Sequence, residues 1–467
     1  MNRVGVPAPV VLAIDLGGTS LRAGLVTDGG EIVAIAAAAH RIEAEADAEA
    51  WWATLLGLLK TLDARDVVGI GLSGFTRSQI LVDDRGLPVR PAQTFLDGRA
   101  SAEATELAGE PDGGWTDMSA YHPRARLLWV ARHDPTAFSR ARHLLQPKDF
   151  FALRLTGMMA ADRISNAWAI DRATGFPTAL APALLPSLRD PAEWIGAVQH
   201  IAGLIGVPVF AGSMDTWCAT IGAGAVRDGG AYIISGTTDA AGAFSTVPVD
   251  RPGRVTLPWG EDLFQTGGPS SAGADCAAWA ATLLGLPDAE ALTRRAAESA
   301  GGEIVFVPHL TGARAPVWNP AARGAFVGLS RAHGPADLAR AVLEGVALAD
   351  RDLLDGLAFD RVVIAGGGAR SDFWCQLRAD ALGVPLDRAG ADEPGLVGAA
   401  ATAWVGLGRF SNLVAAQAAM ARPRDRFVPD MAAHARMTGL YGWFLEARRH
   451  SEPPPFLPPT AQGATRI

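Results

Sequence analysis

Short apolar runs alternate with longer alanine- and leucine-rich stretches from one end of the chain to the other. That is the pattern of strands interleaved with helices, and it predicts an α/β protein. Strands are expected over 10–14, 67–72, 207–211, 231–234, 304–307 and 361–365, and helices over 48–62, 125–133, 272–284, 335–357 and 373–382. The proline-bearing stretch 177–191 reads as loop and turn, and the proline-rich end, 451–467, as a loosely held tail. Two stretches share one design: LAIDLGGTSLRAGLV (12–26) and AYIISGTTDAAGAF (231–244). Each is an apolar strand, a Gly-Thr turn and a second run of small and apolar residues. They predict either two similar halves, 1–228 and 229–450, meeting near Arg227-Asp228-Gly229-Gly230, or two unrelated glycine-bearing hairpins.

Composition narrows the class. The 467 residues are 49% hydrophobic and 19% charged, as in an ordinary globular protein. The net charge of −8, without a basic block, makes nucleic acid or an anionic membrane surface an unexpected partner. Cys218, Cys276 and Cys375 are widely separated with no CxxC spacing, which argues against a disulfide framework or a thiolate zinc site and fits a reducing compartment. The first apolar run ends in Asp15 rather than at a cleavage site, so it reads as a strand, and no uncharged stretch reaches membrane-spanning length. A cytoplasmic protein is expected. Arginine supplies nearly all the positive charge; the only lysines are Lys60 and Lys148.

Three glycine-bearing turns carry candidate chemistry, each after an apolar strand, where ligands of open α/β sheets gather. In DLGGTS, Asp15 is followed by Gly17, Gly18, Thr19 and Ser20, a turn whose amides and hydroxyls suit phosphate oxygens. An acid beside phosphates needs a cation between them, for which magnesium is the natural choice. SGTTD offers Gly236 and Thr237 in the same way, and VVIAGGGARSDFW offers Gly366, Gly367, Gly368 and Ser371 to a purine and ribose. It is neither a Walker A loop nor a dinucleotide fingerprint. A tight structural turn is the alternative for each. Asp215 is the single charged residue in 207–226. It is read as a base accepting a proton from an attacking hydroxyl and as a helix N-cap, two roles that are compatible.

In this order these motifs resemble the FGGY carbohydrate kinases, over about residues 10 to 445. QPKDFFALRLTG (146–157), FVPHLTGARAPVWNPAARGAFVGLS (306–330) and ADLARAVLEGVAL (336–348) extend the likeness, with the signature filled from Gly324 to Glu344. The resemblance implies two actin-like ATPase (ribonuclease H-like) domains around a catalytic cleft. It also implies ATP and Mg2+ as cofactors and transfer of phosphate to a terminal hydroxyl of a small sugar or polyol. On it, Asp215 falls at the catalytic base and Asp15 at the magnesium-supporting acid. Gly18, Thr19, Ser20 and Arg22 match β/γ-phosphate contacts, Thr237 the second hairpin's donor, and Gly367 and Ser371 the adenosine contacts.

Residues 71–100 resemble the xylulokinase stretch, with Asp97 and Arg99 kept. Phe75-Thr76-Arg77-Ser78, however, stands where that stretch has its sugar-binding run. Thr76, Arg77, Asp97 and Thr216 are therefore the expected substrate contacts beside Asp215, and a ketopentose such as xylulose the expected acceptor. Another ketose, a polyol or an aldonate is the alternative, and Arg77 paired to Asp97 away from substrate is the bland one. A nucleotide-gated regulatory protein of the same fold and a kinase for a simple carboxylate are the rival classes. Assembly is left open, a homodimer being one candidate.

Overall fold

The computed structural model describes residues 8–108, 119–169, 184–260 and 262–450. The first sheet is built from β1 (Val10–Leu16), β2 (Ser20–Val26), β3 (Ile32–Ala39), β4 (Val67–Gly74), β5 (Trp194–Ala197) and β6 (Pro208–Phe210). Its order is β5-β6-β4-β1-β2-β3, and a short strand, Ser213–Met214, pairs with β4. The second sheet contains β7 (Gly230–Ser235), β8 (Asp239–Ser245), β9 (Val255–Gly260), β10 (Leu263–Pro269), β11 (Arg361–Ala365), β12 (Leu386–Ala389) and β13 (Pro423–Phe427). Its order is β9-β10-β8-β7-β11-β12-β13.

The two sheets repeat one plan. β1 pairs antiparallel with β2 and parallel with β4; β7 pairs antiparallel with β8 and parallel with β11. The shared hairpin design seen in the sequence is thus the first hairpin of each of two like sheets, and two unrelated hairpins are ruled out. Every residue of β1 is buried, because helices cover both faces of its sheet.

Glycines let the halves meet. Helix α1 (Asp215–Ala223) follows the first sheet, and helix α2 (Pro394–Gly406), from the second half of the chain, crosses it and lies against β1 and β4. A Cβ on Gly398 would sit 1.8 Å from the Cys218 carbonyl oxygen, and one on Gly222 1.9 Å from that of Pro394. Backbone therefore touches backbone where the helices cross.

Local differences from expectation have simple causes. The helix expected to begin at 125 begins at Pro123, since proline suits a first helical position and His122 caps it. The helix expected to 357 ends at Leu354. Within the segment expected to be all loop, Ser187–Arg189 forms a strand parallel to Ala160–Asp162, its backbone satisfied by that partner. The 451–467 tail lies outside the described residues. All three cysteines are buried free thiols, and no described helix is long and apolar enough to cross a membrane.

Candidate active site

Strand register builds the first part of the site. Asp15, the last residue but one of β1, lies directly opposite Arg22 on β2 and Ser73 on β4. The Ser73 hydroxyl donates to Asp15 Oδ1 at 2.6 Å. Burial raises the Asp15 carboxyl above its ordinary value, against the pull of Ser73 and Arg22. In the turn that follows, Gly17 N–H donates to Ser20 O at 3.0 Å. The N–H groups of Gly18 and Thr19 have no protein acceptor among the described residues, and Ser20 Oγ is buried without a partner. Orphaned donors of this kind fit an oxyanion such as phosphate.

Asp215 is carried to the same place by the end of the neighbouring strand. The helix begins at Asp215 itself with Met214 at the cap position, so the N-cap role does not hold. The Asp215 Oδ1 instead accepts from its neighbour's N–H, Thr216 N, at 2.7 Å. Burial, then the charge on Asp15, pushes the Asp215 carboxyl up to about 6, against the Thr216 donors. The two acids are thus close enough to feel one another. No group of three or more His, Cys, Asp or Glu side chains suited to a metal occurs among the described residues. One or two carboxylates with phosphate oxygens and water suit magnesium, so Asp15 with Asp215 beside it fits that ion.

Lys148 explains how this strand end is held. Its Nζ lies 2.5 Å from Asp149 Oδ1, 2.8 Å from Asp162 Oδ2 and 3.2 Å from the Ala211 carbonyl. Asp162 Oδ1 in turn accepts from Ser213 Oγ at 2.8 Å. A fully buried lysine is tolerable only with such charge partners. Lys148 therefore braces the backbone just before Asp215.

The second hairpin and the glycine loop form one unit. Gly366 has φ of +93°, and a Cβ there would meet Ser235 O at 2.4 Å; one on Gly368 would meet Ser235 Oγ at 2.1 Å. Buried Arg378 ties them: it donates to Asp239 Oδ2 at 2.6 Å, Ser235 Oγ at 3.0 Å and Asp350 Oδ2 at 2.9 Å. Gly236 N–H closes its turn on Thr238 O, and Thr237, at the tip, is exposed. Gly367 has open space where a side chain would be, and Ser371 caps the next helix by accepting from Trp374 N–H at 3.1 Å. Glu393, ahead of α2, joins this unit to the first hairpin: it pairs with Arg22 at 3.1 Å and also feels Asp15 and Arg370. Arg22 thus engages Glu393 through Nε.

A cavity of about 270 Å³ opens between the halves beside Asp215. Gly18, Thr76, Arg77, Asp215 and Thr216 line it from the first half, and Tyr232, Trp259, Gln265 and Arg314 from the second. Asp97 does not line it. Its buried carboxylate accepts from Gln93 Nε2 at 2.9 Å and from Arg99 Nε at 2.8 Å, so it braces its own loop. Arg77 forms no ion pair with Asp97 or with any other described acid, which removes the bland alternative. Sequence reasoning missed Ser73, Glu393 and Arg314. Ser73 stood out only as a hydroxyl in an apolar strand, and Arg314 lay within the 306–330 stretch, ahead of the signature, as one arginine among many.

The N-terminal domain description of the FGGY family of carbohydrate kinases matches residues 10–222 and the C-terminal one residues 231–407. A xylulose kinase of Escherichia coli (strain K12) is 33% identical over 441 residues, covering 86% of this chain and 91% of its own. Among solved structures, a ligand-bound xylulose kinase and a gluconate kinase, both from Lactobacillus acidophilus, each superpose with a TM-score of 0.88 at 22% identity, over 95% of this chain and 98% of theirs. Equal likeness to proteins named for different sugars leaves the acceptor open, since fold does not select a substrate.

Proposed function

Because this chain belongs to the FGGY family of carbohydrate kinases, we propose that it transfers the γ-phosphoryl group of ATP to a terminal hydroxyl of a small sugar held beside Asp215. The observation that carries the reading is that Asp215 and Gly18 line one cavity between the halves, with Asp15 close enough behind Asp215 to raise its carboxyl. The acceptor oxygen forms its bond to the γ-phosphorus as the bond to the β–γ bridging oxygen breaks and ADP leaves. Asp215 orients the hydroxyl and takes its proton late, because a loose transition state needs little help from a base. A carboxyl group that titrates at about 6 is ionised at neutral pH and still basic enough for that task.

The Gly18, Thr19 and Thr237 amides and the Ser20 hydroxyl are the phosphate donors in this scheme, and the open face at Gly367 is the seat for adenosine. Asp15 would hold magnesium, which when bound would supply charge neutralisation at the phosphate oxygens. The cavity lies below the range of drug-sized pockets, which suits a small acceptor. The name of the Escherichia coli relative favours a ketopentose such as xylulose; other ketoses, polyols and aldonates belong to the same acceptor class.

The test is ADP release from ATP across a panel of pentuloses, hexuloses, tetritols, glycerol and aldonates, with wild type and Asp215→Ala. The variant is expected to lose roughly three orders of magnitude or more in kcat while still binding ATP. Turnover surviving in Asp215→Ala removes this residue from the chemistry.

A further inference from the structure

The charged groups of the cavity do not match a neutral sugar. Among the described residues Asp215 is the only acid lining it, whereas Arg77 and Arg314 enter it from opposite halves of the protein. Neither guanidinium has a hydrogen bond or ion pair among the described residues. Burial, then the charge on Arg77, pushes Arg314 down to about 10, against the pull of Tyr121. Burial and the arginines Arg77, Arg124 and Arg126 push the nearby His122 down to about 3, so its ring stays neutral.

The backbone is strained to keep this arrangement. Arg77 has φ of +55°, a conformation costly for a residue with a side chain, and Arg126 Nη1 clamps its carbonyl at 2.5 Å. Two further donors on the cavity wall are left over. Ser165 Oγ and Trp168 Nε1, on residues 6% and 5% exposed, have no hydrogen-bond partner. Buried donors without acceptors, beside unpaired cations, cost free energy unless a ligand rich in acceptors and negative charge completes them.

We propose that the acceptor is a polyhydroxy carboxylic acid of the aldonate type, its carboxylate bound between Arg77 and Arg314 and its terminal hydroxyl presented to Asp215. The inference rests on the kinase reading and narrows its acceptor. Charge selects a carboxylate over a phosphate: among the described lining residues two arginines against one aspartate leave one positive charge, which a monoanion cancels. A phosphate dianion would overshoot, next to an incoming γ-phosphoryl group that is itself negative. Planar guanidinium groups also match the two oxygens of a carboxylate.

Full-length protein with magnesium and ATP is assayed for ADP release with four- to six-carbon aldonates, the matching neutral ketoses and polyols, and sugar monophosphates. In parallel, calorimetry measures binding of each acceptor without nucleotide. An aldonate is expected to exceed every neutral acceptor at least tenfold in kcat/KM. Arg77→Met and Arg314→Met are each expected to raise its KM and its Kd about tenfold to a hundredfold, the loss of a charge-assisted contact. A neutral ketose or a sugar phosphate preferred over every aldonate overturns the inference and leaves the kinase reading standing. So does an aldonate whose KM ignores both substitutions. Absence of ADP release with every acceptor sinks the kinase reading instead, and the calorimetric ranking of aldonate over neutral sugar then decides the carboxylate site alone.

Discussion

Replacing Asp215 by asparagine separates what the residue does for chemistry from what it costs the fold. The wild-type carboxyl is raised from 3.8 to about 6, first by burial and then by Asp15. The folded protein therefore holds this proton more tightly than the unfolded chain does. Above pH 6 the ionised carboxylate destabilises the fold, and the penalty shrinks as acid restores the proton. Each tenfold difference in proton affinity between the folded and unfolded chain is worth about 1.4 kcal/mol. The cost is then about 3 kcal/mol at pH 8, about half of that at pH 5 and under about 1 kcal/mol at pH 4. Asparagine carries no charge, and its amide oxygen still accepts the Thr216 N–H that Asp215 Oδ1 receives at 2.7 Å. Asp215→Asn is therefore expected to be more stable than wild type by up to about 3 kcal/mol at pH 8, and nearly equal at pH 4, while losing activity. Urea midpoints and slopes at four pH values measure this, alongside ADP release. The wild-type kcat/KM should fall about tenfold per pH unit below pH 6. A variant equally or less stable at pH 8, or a gain that persists unchanged into acid, refutes the reasoning.

Two further outcomes follow from packing. Lys148→Met leaves Asp149 and Asp162 buried without their cation, and a cost of about 3–5 kcal/mol is expected in urea titration, with kcat reduced because the strand end before Asp215 loses its brace. Gly398→Ala drives a methyl group to 1.8 Å from the Cys218 carbonyl, so thermal unfolding should register a loss of at least about 1–3 kcal/mol. Gly439→Ala, on a helix face with nothing near the new methyl, is the control and should be neutral or slightly stabilising.

The cavity lined by Arg77 and Arg314 and the two glycine hairpins differ in how far the chain announces them. Hairpins are local: the turn of Gly17 to Thr19 and that of Gly236 and Thr237 depend on neighbours within a few residues, so both were visible as patterns and both are formed. Asp97 was singled out because the xylulokinase-like stretch keeps it, yet Gln93 and Arg99 consume its carboxylate. Which acid is satisfied and which is left facing a cavity depends on partners that a motif does not name.

By itself, then, the amino-acid order determined the alternation of strands and helices, the paired glycine turns, the isolation of Asp215 and the exceptional status of Lys148. Those features follow from backbone freedom, side-chain burial and short-range hydrogen bonding, all written in contiguous residues. Only the tertiary structure decided that Arg77 and Arg314 line one cavity while Asp97 does not, that Ser73 and Arg22 flank Asp15, and that Glu393 pairs with Arg22 across the loops. Those meetings are set by strand register and by the seating of α2 between the halves, where electrostatic partners distant in sequence are brought within a few ångströms of one another.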